Sequence, residues 1–394
     1  MRGSNHNGMR QFNERIVLQA IRHNGAMAKA DLARLTQLST QTVSIIVDRL
    51  LGDGLLLKQE RVRGKIGQPS VPLAINPDGA FSLGLQVGRR SLEVLVSDFL
   101  GQARHQLQYA YPYPDPEVVL PHIQEALQRM QQSMGDAWAR TVGIGLTAPL
   151  SLHKWSGLLG GEAAQALQRW EDFDLLAAVR SLTDLPVEFA KDTNAACMAE
   201  MLQGHGRTVA SYLYVFVGTF VGGGVVLAGH IMAGPRGNAG AIGSMPVGLG
   251  DAGAQPPQLL QLASGWQLEQ ALQQAGLDPA LVHRDAIMDS AHAAITAPWL
   301  AQASRALAMT TASAAALMDL DAVVIDGSLG RSLIEALIHA TREQLQHYNL
   351  EGLQAPQVLA GQVGAHARAL GGSLLPLHAQ FFPLKDIFLK QDLV

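Results

Sequence analysis

A single cysteine in 394 residues, Cys197, excludes an internal disulfide and any zinc site built from several thiolates. Within AACMAE it reads as a small buried helix residue rather than a reactive thiol. No apolar run reaches about 18 uninterrupted residues, so no segment reads as a membrane span, and MRGSNHNGMRQ lacks the apolar core of a secretion signal. The expected location is the cytoplasm. The 13 histidines are scattered without HExxH spacing, which leaves a metal site without local support; neither a metal nor a cofactor is expected. Charged residues make up only 16% against 48% apolar, with no low-complexity tract, so extended disorder is excluded and two or three globular domains are expected.

What is present is most specific between Ala28 and Leu57, AKADLARLTQLSTQTVSIIVDRLLGDGLLL. Val43, Ile46, Val47, Leu50 and Leu51 fall on one apolar helical stripe. Ser39 and Thr40 are candidate N-caps, because a hydroxyl there satisfies free N–H groups of the first turn. Ahead of them Asp31, Leu32, Ala33 and Leu35 form a short helix ending at Thr36. About three residues then separate two helices, the spacing of a helix-turn-helix. Opposite the apolar stripe, Thr40, Gln41, Ser44 and Arg49, with Ser39 and Thr42 at the helix start, form the candidate face for base edges in a major groove.

After the turn signal Gly52-Asp53-Gly54, LLLKQERVRGKIGQPSVPLAI alternates apolar and charged residues and reads as a β-hairpin wing. Arg61, Arg63 and Lys65 on it are candidates for phosphate or minor-groove contact. Residues 1–76 hold eleven basic and five acidic residues, net +6; the whole chain carries −4, which leaves −10 for the rest. A basic head on an acidic body is the footprint of a segment that meets a polyanion. The alternative is a solvated helical hairpin used for protein contacts.

From Ala80 onward strands alternate with helices. FSLGLQVG and LEVLVSDFLG read as paired strands, followed by a helix over 116–134 and a strand at TVGIGLTAPL. A helix over 174–181, a strand at PVEFA and a helix after Asp192 come next. In SYLYVFVGTFVGGGVVLAGHIMAG two apolar runs are expected to be joined at Gly222-Gly223-Gly224, where glycine permits positive φ and close ligand approach. DAVVIDGSLGRSLIEAL reads as strand, loop and helix. The order is α/β, and two similar blocks meeting near residue 190 suggest two lobes with a cleft between them.

Taken together and in order, KDTNAACMAE (191–200), VGTFVGGGVVLAGHIMAG (217–234) and GNAGAIGSMPVG (237–248), with GIGLTAP (143–149) and WEDFDLLAAV (170–179), resemble the ROK family of repressors, open reading frames and kinases. The resemblance spans nearly the whole chain. It implies an N-terminal winged helix-turn-helix and a two-lobed actin-like, sugar-kinase-like (ribonuclease H-like) body. The domains expected are a flexible arm at 1–12, the DNA-binding domain at 13–78 and the body at 79–394. Lobe 1 would be about 79–190 plus 376–394, and lobe 2 about 191–375.

The family's kinase chemistry needs a base carboxylate, sugar ligands and phosphate loops. The base position maps to Asp192, but the preceding family Asn is Lys191. The G-E-x-G-H motif, source of a sugar-binding Glu and a zinc-ligating His, reads Gly240-Ala241-Ile242-Gly243-Ser244. The zinc loop is replaced by LGDAGAQPPQLLQLASG, and the phosphate loop resembling D-x-G-G-T reads Gln86-Val87-Gly88-Arg89-Arg90. Losing one such group costs about 10² to 10⁴ in rate, and several are missing, so no useful kinase activity is expected. The resemblance implies a transcriptional regulator, a repressor of carbohydrate-related genes, acting as a homodimer or homotetramer on operator DNA. An active kinase with an added DNA-binding domain and a ligand-independent repressor are the competing readings. Effector candidates are Lys191, Asp192, Asn194, Trp170, Arg89 and Arg90, for a sugar, sugar phosphate or sugar acid. Two accounts of Asp192 stay open: a hydroxyl acceptor, or a helix cap pairing with Lys191. The alternative for the basic residues is that they are solvated or salt-bridged charges, and Trp170 could stack on a sugar or pack in the core.

Overall fold

The computed structural model describes residues 6–60, 71–150, 152, 161–249 and 254–383. At the N-terminal end, α1 (His6–Asn24), α2 (Lys29–Thr36) and α3 (Thr40–Gly52) pack around Val17, Leu18, Ile21, Leu32, Val43, Ile46, Val47 and Leu50. The arm expected over residues 1–12 is helical from His6. Arg10 lies 4.0 Å from Glu14 one turn on, and Glu14 also holds Arg49 of α3, so the early turns are tied to the domain. Gln37 takes the left-handed conformation (φ 57°) that ends α2, and the Ser39 hydroxyl accepts the Thr42 N–H at 3.1 Å to start α3. β1 (Leu56–Lys58) and β2 (Leu73–Ile75) pair antiparallel, Leu56 opposite Ile75, as the stem of a hairpin. Arg61, Arg63 and Lys65, proposed for its tip, lie outside the described residues.

The body holds two five-stranded sheets of one topology. β3 (Phe81–Val87), β4 (Ser91–Ser97), β5 (Ala103–Ala110), β6 (Thr141–Ala148) and β7 (Val187–Lys191) form the order β5-β4-β3-β6-β7. β8 (Tyr212–Val217), β9 (Val221–Leu227), β10 (His230–Met232), β11 (Ala322–Gly327) and β12 (Gln357–Ala360) form β10-β9-β8-β11-β12. In each, a three-stranded meander continues into two parallel strands. The central strands β3, β8 and β11 are buried along their whole length, as apolar strands covered on both faces must be. The two blocks suggested by the sequence are thus two lobes, each with its own apolar cluster.

The glycine triplet does not sit where it was expected. Gly222, Gly223 and Gly224 lie inside β9, paired with Phe216, Val215 and Tyr214. Their role is close packing. A Cβ on Gly222 would come within 2.8 Å of Thr193 Cγ2, and one on Gly224 within 2.7 Å of Cys197 Cβ, so the glycines let the Asp192–Gln203 helix lie flat on the sheet.

That helix is buried from Asp192 through Met201, and against it packs the helix Ala367–Phe381, which also crosses β3, β4 and β6. The return of the chain to the first lobe therefore begins near residue 367, ahead of the boundary expected at 376. Small residues set the crossing. Gly371 faces the Ala195 carbonyl, Gly145 faces the Gly372 carbonyl, and Gly84 lies 2.6 Å, by its would-be Cβ, from the Ser373 N–H. Ser373 adds hydrogen bonds to Ser82 and Ser97.

A methyl at Gly371 would overlap the Ala195 carbonyl. Gly371→Ala is expected to cost about 2–3 kcal/mol, read as a lower urea midpoint; an unchanged midpoint would show that the two helices can separate freely.

Candidate functional site

Between the lobes lies a cavity of about 650 Å³, within the size range of small-molecule sites. Its first-lobe wall is the β3–β4 turn with Glu93, its floor is Lys191–Thr193 at the start of the buried helix, and its second-lobe wall includes Thr219, Ala241, Ser244 and Glu269. The parallel strands β6 and β7 deliver Pro149 and Lys191 at their carboxyl ends, where open α/β sheets bind ligands.

Arg89 and Arg90 reach the cleft but are not unpaired. Arg90 Nη2 donates to Glu269 Oε2 at 2.6 Å and Arg89 Nη1 to the same oxygen at 3.4 Å. Thr219 Oγ1 donates to Oε1 at 3.4 Å. Glu269 is 2% exposed and Arg89 11%. Burial holds the Arg89 pKa below its ordinary value, with Glu269 opposing that shift. The guanidinium also lies over the Phe220 ring, 5.7 Å from its centre. Because the arginines come from the first lobe and Glu269 from the helix Gly265–Gln274 of the second, this pair is a latch across the mouth of the cleft. Of the alternatives for these cations, the salt-bridged one is realised.

Lys191 is buried, its Nζ donating to the Ala239 carbonyl at 3.1 Å and Asn238 Oδ1 at 3.4 Å. Burial lowers its pKa to about 8, against the opposing charge of Asp192. Asp192 does not hydrogen-bond to Lys191. Its Oδ1 accepts the Thr193 N–H at 2.8 Å and its Oδ2 lies 3.6 Å from Arg368 Nη1. Of the two components of the cap reading, the carboxylate does accept an N–H at the helix start, but the cation it pairs with is Arg368 rather than Lys191. Asn194 turns away from the cleft wall, its amide donating to the Gly237 carbonyl at 3.1 Å. Trp170 is also elsewhere. It is 8% exposed in the first-lobe core, its Nε1 donates to the Pro114 carbonyl at 2.9 Å, and Phe173 meets it edge-on, so packing rather than sugar stacking accounts for it.

The residues that sequence reasoning missed are Glu269, Arg368, Glu93 and His366, the last two 3.4 Å apart across the cleft wall, with Glu93 raising the His366 pKa. Glu269 had a usable signal: it sits one residue from Leu268 and three from Leu272, both buried, so it is an acid on the apolar face of a helix. Arg368 and His366 carry no periodic signal.

On the head, Thr40 and Gln41 point outward and their side chains make no hydrogen bond among the described residues. The other described candidates are engaged. Ser39 and Thr42 share a hydroxyl contact at 2.8 Å, Lys29 Nζ donates to Ser44 Oγ at 3.0 Å and to Asp48 at 2.8 Å, and Arg49 is bound to Glu14 at 2.5 Å.

A duplicated-topology, two-lobed body behind a helix-turn-helix head defines the class. The ROK family signature matches residues 82–378, and the chain belongs to the ROK family. Among curated proteins it is 25% identical over 248 residues to a putative xylose repressor of Caldicellulosiruptor sp. (strain Rt8B.4), covering 63% of this chain and 61% of that protein. The match thus spans about three-fifths of that relative's length. Among solved structures, a ROK family transcriptional regulator described as a homologue of the E. coli MLC protein superposes with a TM-score of 0.71 at 22% identity, over 97% of this chain and 99% of that one. A ROK hexokinase from Thermus thermophilus gives 0.54 at 27% identity, over 75% and 97%. The superposition over 97% of this chain extends the shared fold to the head.

The latch makes a graded expectation. Glu269→Gln strands the enclosed Arg89 and should cost about 3 kcal/mol, whereas Arg90→Gln, whose side chain is 46% exposed, should cost under about 1 kcal/mol. Equal, small losses in chemical denaturation would show that water screens the pair.

Proposed function

We propose that this chain is a DNA-binding transcriptional regulator, a repressor of carbohydrate-related genes, in which α3 reads an operator and the interlobe cleft receives a sugar-related effector. The observation that carries this reading is the outward polar start of α3, Thr40 and Gln41, on a compact head seated on a two-lobed body. The repressor name of the relative with 25% identity supports it. Operator DNA requires two heads for adequate specificity, so the working form is a homodimer or homotetramer in the cytoplasm.

In this reading the cleft binds without phosphorylating. The family's sugar-binding Glu and zinc-ligating His are Ala241 and Ser244 on the cleft wall. Gln86 replaces the phosphate-loop carboxylate and is fully buried in β3. Asp192, the vestigial base, is tied to Arg368 and a backbone N–H. Lys191 is a cleft cation whose two hydrogen-bond acceptors are both neutral, which favours an acidic sugar over a plain hexose. An effector acts by preferring one degree of lobe closure.

The test is a footprint on the chain's own upstream DNA, with and without sugars, sugar acids and sugar phosphates. Gln41→Ala is expected to change base preference by about 1–3 kcal/mol at one position; unaltered affinity for every operator variant would remove Gln41 from the reading face. Sugar-dependent ADP formation from ATP by the purified protein would overturn the non-catalytic part.

A further inference from the structure

A second cavity, of about 470 Å³, opens where the head meets both lobes. α1 contributes Arg22, the β4–β5 turn contributes Phe99, the 3₁₀ turn after the buried helix contributes Arg207, the start of β10 contributes His230, and the Ala367–Phe381 helix contributes His378. Among the described residues its wall holds two arginines and three histidines and no carboxylate.

Arg22 is the central group. Its guanidinium lies between the rings of Phe99 and Phe382, 5.1 and 4.5 Å from their centres. Nη2 donates to the Phe99 carbonyl at 3.2 Å, while Nη1 is shielded from solvent and has no hydrogen-bond partner. Gln19 Oε1, on the same helix face one turn earlier, is likewise unpartnered. Enclosed donors without acceptors are costly, and a guanidinium is built to take an oxyanion through paired N–H groups. Burial lowers the pKa of Arg22 only to about 10 and that of His378 to about 4. At neutral pH the cavity therefore presents a charged arginine beside a neutral imidazole. Met201, Leu202, Leu374 and Leu377 supply an apolar wall beside this charge.

We propose that this junction cavity is a binding site for a small organic oxyanion, a carboxylate or phosphate monoester on an apolar body, whose charge docks on Arg22 and Arg207. A ligand there touches the head and both lobes at once, so it fixes the head on the body. Its consequence for DNA contact rests on the regulator reading above, whereas its binding does not.

The experiment is calorimetric titration of the full chain at pH 7 with phenyl phosphate and benzoate as the two oxyanion probes and phenol as the neutral one. At least one oxyanion should bind saturably with one site per chain and phenol should not. Arg22→Gln and Arg207→Gln should each weaken it tenfold or more, and Arg129→Gln, an exposed arginine of the helix over 116–134 that lines neither cavity, should leave it within twofold. Should Arg22→Gln fail to fold, the exposed Arg207 decides through its own variant. Absence of saturable oxyanion binding, binding that Arg207→Gln leaves intact, or binding abolished equally by Arg129→Gln would overturn the proposal. Since no DNA enters the titration, its failure is distinguishable from failure of the regulator reading.

Discussion

The close crossing of the helix Ala367–Phe381 over the first sheet and the Asp192–Gln203 helix is the constraint on which the rest of the molecule depends. Backbone meets backbone at Gly84, Gly145 and Gly371, which leaves no room for the lobes to drift at their base. The same helix sends Leu374 and Leu377 into one apolar cluster with Val17, Leu18 and Ile21 of the head and Phe99 of the first lobe. Head, first lobe and the helix that starts the second lobe thus share a single core. Close-packed interiors transmit strain instead of absorbing it.

Away from that base, at the mouth of the cleft, Arg89 and Arg90 of the first lobe reach across to Glu269 of the second. The latch is asymmetric in environment: the carboxylate is enclosed while Arg90 is half in solvent. Attraction is strong where water is excluded and weak where it enters, so an incoming ligand that competes for the arginines or wets Glu269 acts on an ion pair that joins the two lobes. At the cleft floor Lys191 and Asp192 are adjacent in the chain yet take different partners, because β7 ends and the helix begins between them and their side chains diverge.

Much of this was legible in the chain. The 3.6-residue stripe at Val43 to Leu50 and the hydroxyl at Ser39 located α3 because both are local signals, and the winged-helix order followed from them. The repeated strand–helix blocks gave two lobes for the same reason. What escaped depends on distance in sequence. The glycine triplet at 222–224 reads as a turn locally, but its role comes from a helix thirty residues earlier pressing on the strand. The Ala367–Phe381 helix was invisible as an amphipathic element since it is covered on several sides, and apolar periodicity fades when a helix is buried all round. In the cleft, chemistry-bearing residues could be nominated by motif, but partners could not: Glu269 lies 179 residues from Arg90. Trp170 shows the opposite error, an aromatic nominated for stacking whose indole N–H is already satisfied inside the core.

The central claim is that the state of the cleft mouth reaches the head through the shared core. Hydrogen–deuterium exchange of the full chain, compared with a variant carrying Arg89→Gln and Arg90→Gln together, tests it directly. The account predicts faster exchange not only in the β3–β4 turn but also along Val17–Ile21 of α1 and around Leu374. Faster exchange confined to the turn, with α1 protected as in the parent chain, would contradict it.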